Sequence, residues 1–206
     1  GSINVHFHRP ALPGQTLSLS EEEDVATGKT RLSVCRATEE VATILITSGV
    51  AVFRGVGLSK APAKGFPLDL TFEDLKDARG EILAGGCEDD LSRAFPHLSS
   101  GLGLLPIASL LAFSRLVGME CPGQHSLFAS LNVQIAPEEV KPKIAWEVSR
   151  HTVPQAPIRI FLKGGGLIGS IDAFVRPRPV DQPSMETVAS AVEPGIFSGQ
   201  VAWVVG

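Results

Sequence analysis

The sequence predicts an α+β protein: two copies of an antiparallel strand meander, with one buried helix ahead of the second copy. Three observations carry this. The opening stretch SINVHFHRP, residues 2–10, recurs as SLNVQIAP at residues 130–137, an offset of 128 residues (130 − 2). Each stretch is followed by a turn-rich break, PALPGQ or APEEVKPK, and then by further strand-like runs. Only the second copy is preceded by a long apolar segment, GLGLLPIASLLAFSRLVGMECPG, residues 101–123. Self-similarity at a fixed offset points to a repeated structural unit.

The elements follow in chain order. In residues 2–10, Ile3, Val5 and Phe7 alternate with Asn4, His6 and His8, the period-two pattern of a half-buried strand. TLSLS, TRLSVCR and VATILITSGVAVF continue the first copy; KIAWEVSRH, PIRIFLK and GLIGSIDAFVRP continue the second. All are rich in Val, Ile, Leu and Phe and bounded by Gly, Pro and charged turns. Residues 1–58 thus form a first unit of strands alone. Residues 59–94 read as a linker with short helices. Within it, TFEDLKDARG places Thr71 three residues before Asp74, a loose capping box, with Gly80 as the stop, and CEDDLSRAF forms a further short turn. Residues 95–178 form the second unit. Its helix has Pro106 in the first turn, apolar residues on nearly every side and Gly118 as its stop, so it is expected to be buried. Residues 179–206 form a linker, proline-rich at its start, with a helix around METVASAV. The first unit lacks a counterpart of the helix, and the expectation is that the chain starts after it, as a piece of a longer protein.

Bulk composition narrows the function classes. The chain has 206 residues, 44% hydrophobic and 19% charged, which favours a packed core over disorder. A formal charge of −4 argues against a nucleic-acid surface. No apolar run reaches the roughly 20 residues of a membrane span, and no signal peptide is visible. The three cysteines, Cys35, Cys87 and Cys121, form no paired pattern, so a reduced cytoplasmic protein is expected. Cys121 and His125 stand four apart, but no second ligand pair accompanies them and no metal is expected.

A helix wrapped by an antiparallel sheet, doubled in one chain, resembles the double hotdog fold. VHFHRPALPGQTLSL, residues 5–19, is similar to the MaoC-like hydratase and dehydratase branch of acyl-thioester enzymes. The resemblance covers residues 2–177 and implies a lyase acting on acyl-CoA or acyl-carrier-protein substrates, with no cofactor in this chain, and a homodimer as a further expectation. At the other end, FSGQVAWVVG resembles the first strand of a short-chain dehydrogenase/reductase. That implies a fusion with a ketoreductase, which would use NADP. Two rivals remain open: a noncatalytic acyl-binding or dimerisation module attached to that reductase, and a hotdog thioesterase, which needs a carboxylate or water-activating group beside the helix start.

The candidate site is AFPHLSSGLGLLP, residues 94–106, where His97, Gly101 and Pro106 satisfy H-x3-G-x4-P. This spacing resembles the histidine motif of polyketide and fatty-acid dehydratases. The resemblance makes His97 the catalytic base. Gly101, Gly103 and Leu104 become the backbone donors that bind the thioester oxygen, a role suited to a helix start. The chain departs from the family in two respects. Its helix, PIASLLAFSRLVG, holds no Asp or Glu, and the hydratase run Asp-x-Asn-Pro-x-His is missing. Asp172 and Glu147 read as solvated strand residues. His6 and His8 face solvent or a groove, and His125 and His151 read as exposed loop or strand-end residues.

Overall fold

The structure is a computed structural model that describes residues 1–47, 49, 57–60, 65–138, 140–150, 152–153, 155–193 and 195–201. Residues 1–176 make one compact unit and residues 177–206 another. The first is built on a single nine-stranded sheet in the order β2-β3-β4-β1-β6-β9-β8-β7-β5, antiparallel throughout.

The first strand set comprises β1 (Ser2–Phe7), β2 (Ser18–Asp24), β3 (Lys29–Arg36) and β4 (Glu39–Thr47). The second comprises β6 (Ser126–Ile135), β7 (Lys143–Arg150), β8 (Ile158–Gly164) and β9 (Leu167–Val175). In each set the first strand pairs with the fourth, the fourth with the third and the third with the second. The sets join where β1 pairs with β6, and the register there is self-consistent. A shift of 128 residues carries Ser2 to Ser130, Asn4 to Asn132 and His6 to Gln134. It therefore exchanges the Ser2–Gln134 and His6–Ser130 pairs and leaves the Asn4–Asn132 pair unchanged. A pseudo-twofold relation between the strand sets thus centres on the two asparagines.

Alternation assigns the two faces of the sheet. On the inner face lie Leu131, Val133, Ile144, Ile158, Ile160, Leu162, Leu167 and Ile171, all buried. Against them packs α3 (Leu104–Arg115), burying Leu105, Ile107, Ala108, Ser109, Ala112 and Phe113. Leu111, on the far side of the helix, is 45% exposed, so the helix is covered on most of its circumference but not all. The helix does not stop at Gly118. A π-helical turn carries it through Leu116–Glu120, and the Cys121 N–H closes that end on the Leu116 carbonyl at 2.8 Å. On the first strand set the equivalent inner face holds Phe7, Leu32, Val34, Ile44 and Ile46, and no described helix covers it. Phe7 is 45% exposed, and Leu19 on the edge strand β2 66%.

The segment between the sets differs from its sequence reading in one respect. Thr71 and Asp74 do bond each other's backbone N–H groups, at 2.9 and 3.4 Å, but they cap only a 3-10 turn, Glu73–Leu75. Gly80 stops no helix. It lies inside β5 (Arg79–Leu83), an edge strand on β7 whose Ile82 joins the core. The Trp146 ring lies where a Cβ at residue 80 would stand, 2.8 Å away, so tertiary packing sets the glycine there. Two short helices follow, α1 (Glu88–Ala94) and α2 (Pro96–Gly101). Strand β2 runs on from SLS through Glu21, Glu22, Glu23 and Asp24, an acidic edge that discourages pairing with a further strand.

The latter part of the run predicted at residues 41–53 lies outside the described residues beyond Thr47, Gly49 excepted, as do His151 and residues 202–206 of FSGQVAWVVG. In the second unit, α4 (Met185–Ala191) starts at Ser184, whose hydroxyl accepts the Thr187 N–H at 3.2 Å. Phe197–Gln200 is a turn closed by the Gln200 N–H on the Phe197 carbonyl at 3.0 Å.

The cysteines test the core directly. Cys121 is buried, Cys35 half-buried and Cys87 exposed. Burial, with a smaller contribution from the Glu120 charge, pushes the Cys121 thiol up from 9.0 to about 12. Near pH 8 an alkylating reagent is expected to modify Cys87 first, with Cys121 protected until the chain unfolds. Mass spectrometry of the native and urea-treated protein reads this. The thiol is protonated in both states below about 9, so its contribution is constant there; as pH rises from about 9 to about 12 only the unfolded chain loses the proton, and stability falls.

Candidate functional site

Polar groups bearing on the sequence reading gather at the start of α3 and on the outer face of the sheet at the pseudo-twofold centre. At the first, α2 ends on Gly101 and α3 begins after Gly103, its N-cap, with Leu104 as its first residue. No side chain caps the helix, and Pro106 contributes no N–H, so the donors left at this end come from Gly103, Leu104 and Leu105. The turn is anchored from behind. The buried Ser109 hydroxyl lies 2.8 Å from the Leu105 carbonyl and 2.8 Å from that of Gly165, in the β8–β9 turn. The start of α3 therefore sits at the end of the sheet where β6 finishes and β9 begins, since Ile135 pairs with Leu167.

His97 stands in the first turn of α2, exposed rather than on a loop or strand end. Residues four apart share a helix face, so His97 and Gly101 lie on one side of α2. Among the described residues the His97 ring has no hydrogen-bond or ion-pair partner; only its carbonyl is engaged, by the Ser100 hydroxyl at 2.9 Å. The structure thus gathers the four predicted residues along one short stretch without bringing a carboxylate against the imidazole.

The second place was only partly anticipated. Asp172 is not a solvated strand residue. Its side chain is 17% exposed, and its carboxylate takes two bonds from Arg159, Nε to Oδ1 and Nη2 to Oδ2, both 2.8 Å; the Ser130 hydroxyl adds a third at 3.1 Å. The fork geometry holds the pair rigidly, and Asp172 raises the guanidinium above its ordinary value. With Asn4, His6, Thr43, Asn132 and Ser170, and with the apolar Val5, Leu45 and Leu131, they line a hollow of about 400 Å3. At its rim the His8 ring bonds the Thr43 hydroxyl at 2.8 Å and stands 3.6 Å from Glu40. Bonds from Ser33, then Arg31, hold the Glu40 carboxyl below its usual range.

The sequence placed Asn4 and His6 on one face. It did not show that Arg159 and Ser130 meet Asp172, because the Arg159–Asp172 and Ser130–Asp172 pairs arise from strand register. Glu147 is exposed, as expected. His125 is not: its side chain is 16% exposed, 3.7 Å from Asp69, because the chain of residues 68–69 folds over it through the Leu68–Gln124 and Asp69–Gly123 pairings.

No family model matches the sequence, and no curated protein matches it. Solved structures resemble the fold at low identity. The tesB protein of Mycobacterium avium subspecies paratuberculosis shares 12% identity, with a TM-score of 0.45 over 85% of this chain and 78% of that one. The MaoC-like dehydratase of Phytophthora capsici shares 16%, with a TM-score of 0.42 over 86% and 71%. The acyl-CoA thioesterase II TesB2 of Mycobacterium marinum shares 11%, with a TM-score of 0.39 over 86% and 80%. Likeness at this level leaves the activity to be read from the chain's own residues. A large antiparallel sheet with few helices fits a hotdog fold. No helix among the described residues is long and apolar enough to cross a membrane.

Proposed function

We propose that the chain is the acyl-thioester module of a larger enzyme, a double hotdog that hydrates enoyl thioesters or dehydrates 3-hydroxyacyl thioesters carried on CoA or an acyl carrier protein. One observation carries this reading: two strand sets of identical order meet in a register that maps onto itself at Asn4–Asn132, and the second set cradles a helix on its inner face.

The chemistry assigned to the helix start follows from its free donors. A thioester carbonyl set against the Gly103 and Leu104 N–H groups has its developing negative charge stabilised there. His97 takes the α-proton in dehydration and returns it in hydration. Dehydration also needs a proton on the departing hydroxyl. No carboxylate of the described residues contacts His97, so this reading takes that proton from a group outside the described constellation.

Loss of enoyl absorbance from crotonyl-CoA measures hydration. Turnover is expected, and His97→Ala is expected to lower it by roughly 10²- to 10⁴-fold, the range for removal of a positioned acid–base group. Saturable acyl-CoA binding without turnover would replace the catalytic reading with that of a binding module. Release of free thiol would replace it with a thioesterase.

A further inference from the structure

A further hollow, of about 580 Å3, lies on the outer face of β5, β7 and β8. Strand alternation puts Arg79, Glu81, Ala145, Glu147, Phe161 and Lys163 on that face, opposite the buried Ile82, Ile144, Ile160 and Leu162. Gly80 and Trp146, also in its wall, belong to the core side by the same alternation. Phe161 is half-buried and the other five outer residues are exposed.

Register arranges the six as two rows across the strands. Glu81, Ala145 and Lys163 stand side by side in one row, and Arg79, Glu147 and Phe161 in the next, two residues along each strand. The rows complement each other strand by strand. On β5 an anion neighbours a cation, Glu81 and Arg79. On β7 a small side chain neighbours a long acidic one, Ala145 and Glu147. On β8 a cation neighbours an aromatic ring, Lys163 and Phe161. A twofold axis in the plane of contact, across the strands and midway between the rows, turns one copy of this face onto another and sets each row against its complement. Arg79 then meets Glu81 of the second copy, Glu147 enters the hollow above its Ala145, and Lys163 lies over its Phe161, a cation–π contact. Every contact occurs twice, as a closed twofold dimer requires.

The charges favour that occupant. Among the described residues Arg79 and Glu147 have no side-chain hydrogen-bond or ion-pair partner, although the register sets them opposite each other. Glu81 pairs with Lys143 at 2.7 Å, but both side chains are more than half exposed, so that pair is worth little and Glu81 can take a second cation. The face carries two acidic and two basic residues, so two copies do not repel each other as they approach. We infer that this face docks a second copy of the chain, sheet against sheet, about the twofold between the two rows. Six side chains a side are fewer than the roughly 20–30 of a standard interface, so the association is expected to be reversible. The inference is independent of the acyl-thioester reading.

The test is analytical ultracentrifugation of the whole chain from about 1 μM to about 1 mM, the span of weak association, at low and at high salt. A monomer–dimer equilibrium that weakens with salt is expected. Arg79→Glu sets carboxylate against carboxylate twice across the axis, and Ala145→Glu closes the hollow with a charge facing Glu147. Each is expected to weaken the dimer by at least about tenfold. The exchange variant Arg79→Glu/Glu81→Arg restores opposite charges across the axis and is expected to recover most of the association lost in Arg79→Glu. Circular dichroism and the thermal midpoint establish that each variant is folded; if the exchange variant does not fold, Arg79→Glu and Ala145→Glu decide. Monomer at every concentration would overturn the inference. So would a dimer that survives both single substitutions, or one that a folded exchange variant does not recover, since the contact would then lie elsewhere on the chain.

Discussion

Replacing Phe113 with alanine is expected to lower the stability of the 1–176 unit by about 3–5 kcal/mol, the range for deleting a buried aromatic side chain. Phe113 is fully buried, on the face of α3 that meets the inner side of β5–β9. Deleting a buried ring of this size leaves a cavity as well as losing transfer energy. Domains of this size hold about 5–15 kcal/mol in total, so the variant should sit near the edge of folding. Leu111→Ala is the internal comparison. It removes a similar apolar group from the same helix, at a position 45% exposed, and is expected to cost under about 1 kcal/mol. Urea unfolding with an unchanged m-value reads both. Equal losses in the two variants would mean that α3 is not the centre of the core.

That contrast also shows where the sequence was informative. The apolar run at residues 101–123 announced a buried helix, and the helix is there; its extent was misjudged at Gly118, because a π turn satisfies the backbone through Glu120. The repeated Ser–aliphatic–Asn–Val pattern announced equivalent strands, and β1 and β6 pair about that very asparagine. β5 was illegible, since Arg79–Leu83 alternates only weakly and becomes a strand by lying along β7. The hollow at the asparagine pair was half legible. Polar residues alternating with apolar ones marked an outer face, but the Arg159–Asp172 pair depends on β8 and β9 lying in one register. His97 and the glycines were singled out by a motif, and a motif says nothing about what stands opposite the imidazole. The structure leaves that ring exposed on α2.

The second large effect is expected at the β8–β9 turn. Gly165 and Gly166 form a two-residue hairpin loop with φ of +65° and +78°, the left-handed pair that matches the twist of antiparallel strands. A Cβ on residue 165 would stand 2.1 Å from the Ser109 hydroxyl oxygen and 3.1 Å from Ile144 Cγ1. Gly165→Ala should therefore carry two costs: about 1–2 kcal/mol for an L-residue in this backbone region, and about 1–3 kcal/mol for overpacking against α3. Gly14→Ala separates them, because Gly14 has φ of +84° and nothing within 4 Å of its would-be Cβ. The difference between the two variants in urea unfolding is the packing cost alone. A difference near zero would mean that the turn does not press on the helix. A clear difference ties the end of the sheet to the first turns of α3 through Ser109, the contact that positions the Gly103 and Leu104 N–H groups. In that case crotonyl-CoA turnover should fall further in Gly165→Ala than in Gly14→Ala when both are assayed well below their unfolding midpoints.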